Sequence, residues 1–580
     1  MVPPRPVPQL AWPSDAALAM PGSKSSANRL LVAAAASGRT VRIRGLTPGD
    51  DVQRMLDGLR TLGFAVDHEP TATTVVVGPR RADAPSTGTI DCGNGGTTLR
   101  FLVSLAATTP GDWILTGDAA MQHRPIGELV AAWRLLGAEI TDTNGCPPVH
   151  VRGDGVHGGG PIAIDASRSS QFVSSLLLVA PSLRDGLMLT FATPIASADY
   201  VGMTRDVLDH FGVRSLSTPG SITVRPGWNR VPLEVAVDGD WSSFGVWTCL
   251  DHLTGSRVRS TNLATDSGQP DEGLAAVLAA MPKTGDHTVD VEPMPDQFLN
   301  LAIVAAHRPG TTQFVGGANL RHKECDRIAV MARELAKAGV AVAERADGLV
   351  VHGGKPLQPT VVDPANDHRV AMAWALAGML SPGIAIADAD CVTKSYPGFW
   401  RDLDVVLRIR RCVVFVGMRA AGKSTTARAF ATRVEARWID TDAKFEAQHG
   451  PIADFVAAQG WPAFRALEEG LVAKAVQPGQ VVSIGGGAIE SAATRRLLRE
   501  QALVVWLDAD ATVLRDRLRR DPDARPSVTG APVLDELDAL LARRRPLYGE
   551  VANVRLDAHW PTGRQVESTM QELGRSCRWT

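Results

Sequence analysis

Arg411-Cys-Val-Val-Phe-Val-Gly417-Met-Arg-Ala-Ala-Gly422-Lys423-Ser424-Thr425 is the stretch from which the fold of this chain can first be read. The apolar run before Gly417 reads as a buried parallel strand. The loop that follows has the spacing Gly-x4-Gly-Lys-Ser and opens a helix from about Lys423, the context a phosphate-cradling loop requires. Backbone N–H groups of such a loop, with the helix N-terminus behind them, face an anion. Lys423 would reach the outer phosphates, and Ser424 would bind a divalent cation. Further on, apolar stretches at 481–484 and 503–507 alternate with helical stretches at 463–475 and 492–500. This predicts an α/β module of roughly 170 residues built on a parallel sheet.

The whole chain has 580 residues, too many for one hydrophobic core. Its net charge of −2 argues against wholesale nucleic-acid binding. Seven scattered cysteines, with no Cys-x-x-Cys pair, point to reduced thiols of a cytoplasmic protein rather than to disulfides or a zinc site. The first residues carry no apolar core of a secretory signal, and no apolar run approaches a membrane span. Only nine of the 60 basic residues are lysine, yet Lys24, Lys323, Lys394 and Lys423 all fall inside short polar motifs. A movable ammonium differs from a planar guanidinium fork, so lysine at such places suggests anionic ligands and proton traffic.

Before residue 410 a pattern recurs in which a helix ends in glycine and leads into a strand. Residues 52–62 run into Gly63, 129–136 into Gly137, 204–211 into Gly212, and 331–338 into Gly339. Glycine takes the left-handed position just past a helix. The first three copies lie 74 and 75 residues apart, which suggests repeated βα units. The texture changes at 409–411 with no Pro/Ser/Gly linker.

Four features narrow the chemistry of the C-terminal module. Asp440-Thr-Asp442 ends the next expected strand, where one carboxylate could support a metal and the other meet a substrate hydroxyl; it reads equally as a helix cap. Phe464-Arg465-Ala-Leu-Glu468 could offer an arginine to a carboxylate, or be a solvated helix face. Gly485-Gly-Gly487 allows close backbone approach, or simply turns the chain. Arg525-Pro and Arg544-Arg-Pro-Leu-Tyr548 could close over the site as a mobile cationic lid. Together these residues resemble shikimate kinase over about 411–580. The resemblance implies ATP binding by Gly417, Arg419, Ala420, Ala421, Gly422, Lys423, Ser424, Thr425 and Arg525. It implies Mg²⁺ at Ser424 and Asp440, and shikimate at Asp442, Arg465, Gly485, Gly486, Gly487 and Arg544. Ala420 stands where this family usually has another glycine, and alanine is expected there only with negative φ.

The longer N-terminal part holds neither a phosphate loop of this kind nor a dinucleotide fingerprint. It holds scattered polar motifs: Lys24-Ser25-Ser-Ala-Asn-Arg29, Asn94-Gly-Gly96-Thr-Thr-Leu-Arg100, Arg124-Pro-Ile-Gly, Ser169-Ser170-Gln171, Ser197 to Tyr200, Asn319-Leu-Arg-His-Lys323-Glu324-Cys-Asp-Arg327, Asn366-Asp-His-Arg369 and Lys394-Ser-Tyr-Pro-Gly. Each alone has a plain structural reading as a cap, a turn or a charged helix face. Their order as a set resembles 5-enolpyruvylshikimate-3-phosphate (EPSP) synthase, which is also 3-phosphoshikimate 1-carboxyvinyltransferase.

That resemblance implies an α/β enolpyruvyl transferase fold of repeated βαβαββ units in two lobes, 1–21 with 238–410 and 22–237, followed by the kinase domain at 411–580. It implies that Lys24, Asn94, Gly96, Arg124, Gln171, Arg327, Arg369 and Lys394 meet phosphoenolpyruvate. Lys24, Ser25, Arg29, Ser169, Ser170, Gln171, Ser197, Tyr200, Asp296, Asn319 and Lys323 would hold shikimate 3-phosphate. Asp296 would be the base and Glu324 the proton donor, with Lys24 beside them and Asp442 serving the kinase. No cofactor is expected for the synthase part. Small anions are the expected partners, not nucleic acid or membrane. Two departures stand out: Pro295-Asp296-Gln-Phe is bulky where the family is small after the aspartate, and Asp240-Trp-Ser-Ser-Phe-Gly replaces a Ser-Ser-Ala-Ala run. The order of the two modules also resembles the middle of the pentafunctional AROM polypeptide. A UDP-sugar acceptor, a sugar or nucleotide kinase, and a module kept only as a scaffold are the alternative readings.

Overall fold

The computed structural model describes all residues except 1, 2, 11, 48, 70, 71, 154, 156, 409, 521–531, 533 and 576–580. The chain separates into two compact units. One comprises Met1–Gln9, Ala17–Cys249 and Ser260–Asp402; the other comprises Leu10–Ala16, Leu250–Arg259 and Leu403–Thr580.

In the first unit one pairing scheme repeats. Strands Thr87–Asp91 and Gly111–Thr116 pair in parallel, and the hairpin Glu139–Thr143/Cys146–Gly153 then adds antiparallel to the second of them. The same order recurs for Gly160–Ile164, Leu187–Phe191, Ser215–Thr218 and Ser221–Val224. It recurs again for His287–Asp290, Gly310–Val315, Ala341–Arg345 and Gly348–Gly353. A fourth copy is permuted: its opening strand, Glu234–Ala236, comes last in the chain and pairs in parallel with Val41–Arg44. These are the expected βαβαββ units. Gly63, Gly137, Gly212 and Gly339 each follow the second helix of a unit with φ of 89°, 89°, 73° and 81°. A side chain there would be strained, so glycine sets the turn from helix to strand.

Alternation fixes which face of each sheet is covered. In Val41–Arg44 the two apolar residues are buried and the two arginines exposed. The helices Lys24–Ala36, Gly96–Ala107 and Ser170–Val179 are buried over most of their surface. A helix so enclosed has its N-terminal turn as its principal polar outlet. That outlet is where the polar motifs fall.

The second unit is a five-stranded, wholly parallel sheet in the order Arg437–Asp440, Gln480–Ser483, Cys412–Val416, Ala502–Asp508, Val554–Asp557. The central strand Cys412–Val416 is buried at every position, as its unbroken apolar run requires. Trp12 joins this core, its ring 5.3 Å from that of Phe430 and its Nε1 donating to Arg411 O at 2.9 Å. Among the described residues no helix is long and apolar enough to cross a membrane, and no group of metal-ligating side chains is clustered.

Candidate active sites

The polar motifs of the first unit converge because they sit at helix starts. Lys24, Gly96, Ser170, Arg327 and His368 are each the first residue of a helix. Asp296 lies in the short turn Pro295–Gln297, directly ahead of the helix Phe298–His307. Several N-termini directed at one cleft favour bound anions.

Arg327 organises the centre. Its Nη1 donates to Asp296 Oδ1 at 2.7 Å, Nη2 to Glu324 Oε2 at 3.0 Å, and Nε to Asp367 Oδ2 at 2.8 Å. It is 1% exposed, and Nη2 also donates to Asp367 Oδ1 at 3.4 Å. Asp367 in turn caps the helix His368–Leu380 by accepting from Arg369 N at 2.9 Å. Arg369 Nη2 stands 3.0 Å from Asp296 Oδ2. Lys394 Nζ lies 3.2 Å from Glu324 Oε1 and donates to Asn94 O at 2.9 Å. Arg124 Nη1 donates to Asn94 O at 3.0 Å, with Nη2 3.7 Å from Glu324. Lys24 Nζ meets Asp51 Oδ2 at 2.9 Å.

These charges set one another's titration. Burial opposes ionisation of Glu324, but Lys394, Arg327, Arg124 and Lys24 outweigh it and hold the carboxyl well below its ordinary range. Asp296 is likewise kept ionised against burial by Arg369, Lys323 and Arg327. Burial works against charge on Lys24, and Asp51 with Glu324 more than restores it. Lys323 is the exception, since burial wins and its pKa falls.

The same cleft is lined by Ser25, Arg29, Gly96, Ser169, Ser170, Gln171, Ser197, Tyr200 and Asn319. Asn94 and Lys394 line an adjoining cleft, and reach the first through the bonds just described. Ser169 also caps its helix, accepting from Gln171 N at 3.2 Å. Asn319 Nδ2 donates to Ser197 Oγ at 3.0 Å. The guanidinium of Arg29 is taken up by Thr204 Oγ1, Ser25 O and Tyr200 O at 2.8, 2.8 and 2.9 Å. A β-carbon on Gly96 would stand 2.8 Å from Arg124 Nη1, so glycine keeps that arginine's place open.

Three carboxylates and one arginine escaped the sequence reading. Asp51 reads as an ordinary acid of a first helical turn, and nothing local marks it as the partner of Lys24. Asp367 lies inside Asn366-Asp-His-Arg369, where nothing local gives it a role. Asp271, buried, accepts from Tyr200 OH at 3.2 Å, Ser242 Oγ at 2.6 Å and Gln297 Nε2 at 2.9 Å. Arg100 Nη1 donates to Gln171 Oε1 at 2.5 Å, and Thr97 holds the other end of that amide at 3.0 Å.

In the second unit the loop 417–422 leads into the helix Lys423–Arg433 as expected. Gly417, Ala421 and Gly422 shape the loop, and Arg419, Ala420, Lys423, Ser424 and Thr425 line a pocket with Asp442, Arg465, Gly485, Gly486, Gly487 and Arg544. Ser424 Oγ donates to Asp440 Oδ2 at 2.5 Å, and Ser483 Oγ to the same oxygen at 2.9 Å. Asp440 Oδ1 meanwhile accepts from Asp442 N and Ala443 N, capping the helix Thr441–His449. The cap reading and the metal reading therefore describe two oxygens of one carboxylate. A hydroxyl and a carboxylate oxygen side by side at a phosphate loop fit Mg²⁺.

Arg465 pairs with Glu468 at 2.5 Å and lies over the rings of Trp461 and Phe464. A β-carbon on Gly487 would stand 2.0 Å from Arg465 Nη2. Arg544 Nε donates to Glu490 Oε1 at 2.6 Å, while its buried Nη2 has no partner among the described residues.

Two expectations are corrected. Ala420 has a positive φ, 63°, where negative φ was expected; the turn between Met418 and Gly422 requires the left-handed conformation whatever residue occupies it. Arg544 is not on a mobile lid: it is 4% exposed within the helix Leu537–Val551, which Tyr548 ties to Gly486 O at 2.6 Å. Arg525 lies outside the described residues.

The family model for EPSP synthase (3-phosphoshikimate 1-carboxyvinyltransferase) matches residues 13–403, and that for shikimate kinase matches residues 419–574. Pentafunctional AROM polypeptides of Eremothecium gossypii and Kluyveromyces lactis are each 34% identical, over 91% and 92% of this chain. The chain spans 38% of the length of these relatives. Two solved structures of EPSP synthase from Acinetobacter baumannii share the fold with TM-scores of 0.57, at 24% and 23% identity, covering 69% and 70% of this chain and 97% of theirs. The chain belongs to the EPSP synthase family, and a shikimate kinase domain follows in the same polypeptide.

Proposed function

We propose that this chain carries two consecutive activities. One phosphorylates the 3-hydroxyl of shikimate with ATP. The other transfers the enolpyruvyl group of phosphoenolpyruvate to the 5-hydroxyl of shikimate 3-phosphate and releases phosphate. The observation that carries this reading is the meeting of Lys24, Arg124, Arg327, Arg369 and Lys394 around Asp296 and Glu324. Cations so placed suit a substrate bearing both a phosphate and a carboxylate.

In the synthase reaction the 5-hydroxyl adds to C2 of phosphoenolpyruvate as Asp296 takes its proton, and Glu324 delivers a proton to C3. The tetrahedral ketal then returns a C3 proton to Glu324 and expels phosphate, which carries away the proton that Asp296 had taken. Glu324 must hold a proton for the first step, although its four cationic neighbours keep it ionised in the free protein. A bound polyanion would draw on the same cations and weaken their hold, raising the carboxyl's pKa. Substrate binding thereby arms the acid. Arg327 bridges base and acid, donating to both.

In the kinase, Mg²⁺ at Ser424 and Asp440 would neutralise charge on the phosphates of ATP. Lys423 and the loop N–H groups would hold those phosphates, Asp442 would orient the attacking hydroxyl, and Arg465 with Arg544 would take the carboxylate of shikimate. The free cysteines of the described residues fit a reducing, cytoplasmic setting.

Assays of each half-reaction on the full chain test this. ADP formation is expected to require shikimate, and phosphoenolpyruvate consumption to require shikimate 3-phosphate. Consumption with a UDP-sugar acceptor instead would overturn the synthase assignment.

A further inference from the structure

Glu490 closes the short turn Ala488–Glu490 that follows Gly485-Gly-Gly487. Its side chain reaches the helix Leu537–Val551, where Oε1 accepts from Arg544 Nε at 2.6 Å and from Arg543 Nη2 at 2.5 Å. The two arginines differ in setting: the Arg544 side chain is 5% exposed and that of Arg543 55%. An ion pair at an exposed arginine contributes little. One that holds a buried guanidinium adds geometry as well as energy.

The turn that carries Glu490 is itself held. Its N–H donates to Gly487 O at 3.0 Å. Arg495 Nη1 donates to Ile489 O at 2.9 Å and to Glu490 O at 3.0 Å. Arg495 Nε stands 2.9 Å from Glu550 Oε2, on the same helix as Arg544. Burial works against ionisation of Glu490, and the bonds from Arg544 and Arg543 outweigh it, so the group stays a carboxylate.

A guanidinium is a rigid planar fork. With Nε engaged by Glu490, the buried Nη2 of Arg544 has no partner among the described residues. Arg544 lines the kinase pocket with Asp442, Arg465 and Gly486. Glu490 lines instead a second cavity, with Arg465, Glu468, Ser491 and Thr494. An arginine already held in its binding orientation loses less side-chain freedom when an anion arrives, which raises affinity without a new contact.

We propose that Glu490 is a positioning residue for the carboxylate of shikimate: it grips Arg544 at Nε and leaves the Nη edge of the fork open to the pocket before substrate binds. The proposal rests on the kinase reading above.

The test uses the full chain with E490A, E490Q, R544K and E490A/R544K, reading Kd for shikimate and for MgATP by calorimetry, and kcat with KM for each substrate. E490A is expected to raise Kd and KM for shikimate roughly tenfold, the loss of a hydrogen bond between charged groups, with kcat and the MgATP constants shifting less than about twofold. E490Q, which keeps an acceptor oxygen and nearly the same shape, is expected to fall between E490A and wild type. In the R544K background, where there is no fork to orient, E490A is expected to cost less than about threefold. An equal loss in both backgrounds would mean that Glu490 acts other than through Arg544 and would overturn the proposal. An unchanged Kd for shikimate in E490A would overturn it too, as would an MgATP affinity in E490Q that falls as far as that for shikimate. A wild-type chain that binds MgATP but not shikimate would instead overturn the kinase reading on which it stands.

Discussion

Gln297 fills the space that Gly245 leaves empty: a β-carbon on Gly245 would stand 2.0 Å from Gln297 Oε1. Gly245 ends the stretch Asp240-Trp-Ser-Ser-Phe-Gly, and Gln297 lies in Pro295-Asp296-Gln-Phe. Gln297, next to the candidate base Asp296, donates from Nε2 to Asp271 Oδ1 at 2.9 Å and accepts from Asn300 at 2.8 Å.

Gly245→Ala should therefore push Gln297 off Asp271 and disturb Asp296. Overpacking of this kind costs about 1–3 kcal/mol. The expected result is a lower melting temperature of the synthase unit and a kcat lowered about tenfold, an estimate from misplacement of a catalytic group. Adding Gln297→Ala should recover most of the stability, and kinase activity should be untouched. Thermal denaturation with both assays checks this.

Lys24 keeps its charge only because Asp51 and Glu324 outweigh burial. In Asp51→Asn one of those two anions is lost, so the pKa of Lys24 falls and its charge is lost as pH rises at a lower pH than in the wild type. The basic limb of the synthase kcat/KM profile should move to lower pH, with KM for phosphoenolpyruvate rising about tenfold where Lys24 has become neutral. A pH–rate series on both proteins measures it.

Arg544 is buried with Nη2 unpartnered among the described residues, so a carboxylate that reaches it satisfies an open donor. Arg544→Lys keeps the charge but not the fork. KM for shikimate should rise by about 10- to 100-fold, and KM for ATP should change little. Steady-state kinetics with each substrate varied separates the two.

Asp251 gives a stability window. Burial raises its pKa from 3.8 to about 7, opposed by the bond from Val258 N and by Arg411. The folded state then binds a proton that the unfolded chain has released. The stability this contributes is fully present below pH 3.8 and is lost as pH rises through about 7. Asp251→Asn should remove that dependence and make the second unit more stable than wild type at pH 8. Urea titrations at pH 5 and pH 8 read the difference.

Some of this structure was legible in the sequence for physical reasons. The apolar run 412–416 admits no exposed face, and glycine past a helix dictates a turn, so the parallel sheet and the repeated units could be read locally. The permuted unit could not: Glu234–Ala236 pairs with Val41–Arg44 across nearly two hundred residues, and nothing in its three residues names that partner. The placement of 10–16 and 250–259 with the kinase sheet is equally non-local. In the site, cations were visible because they cluster in motifs, whereas Asp51, Asp271 and Asp367 matter only through what they touch. At Ala420 residue preference points to negative φ, and the closure of the loop imposes 63° instead.

The central claim is that one chain makes shikimate 3-phosphate and then consumes it. A ³¹P NMR time course of the full-length protein with shikimate, MgATP and phosphoenolpyruvate tests this in one tube. The expected spectra show the 3-phosphate appearing as ATP is converted to ADP, then phosphoenolpyruvate declining as inorganic phosphate and the enolpyruvyl product grow together. Persistence of both phosphoenolpyruvate and the 3-phosphate, or ATP left intact beside shikimate, would contradict it.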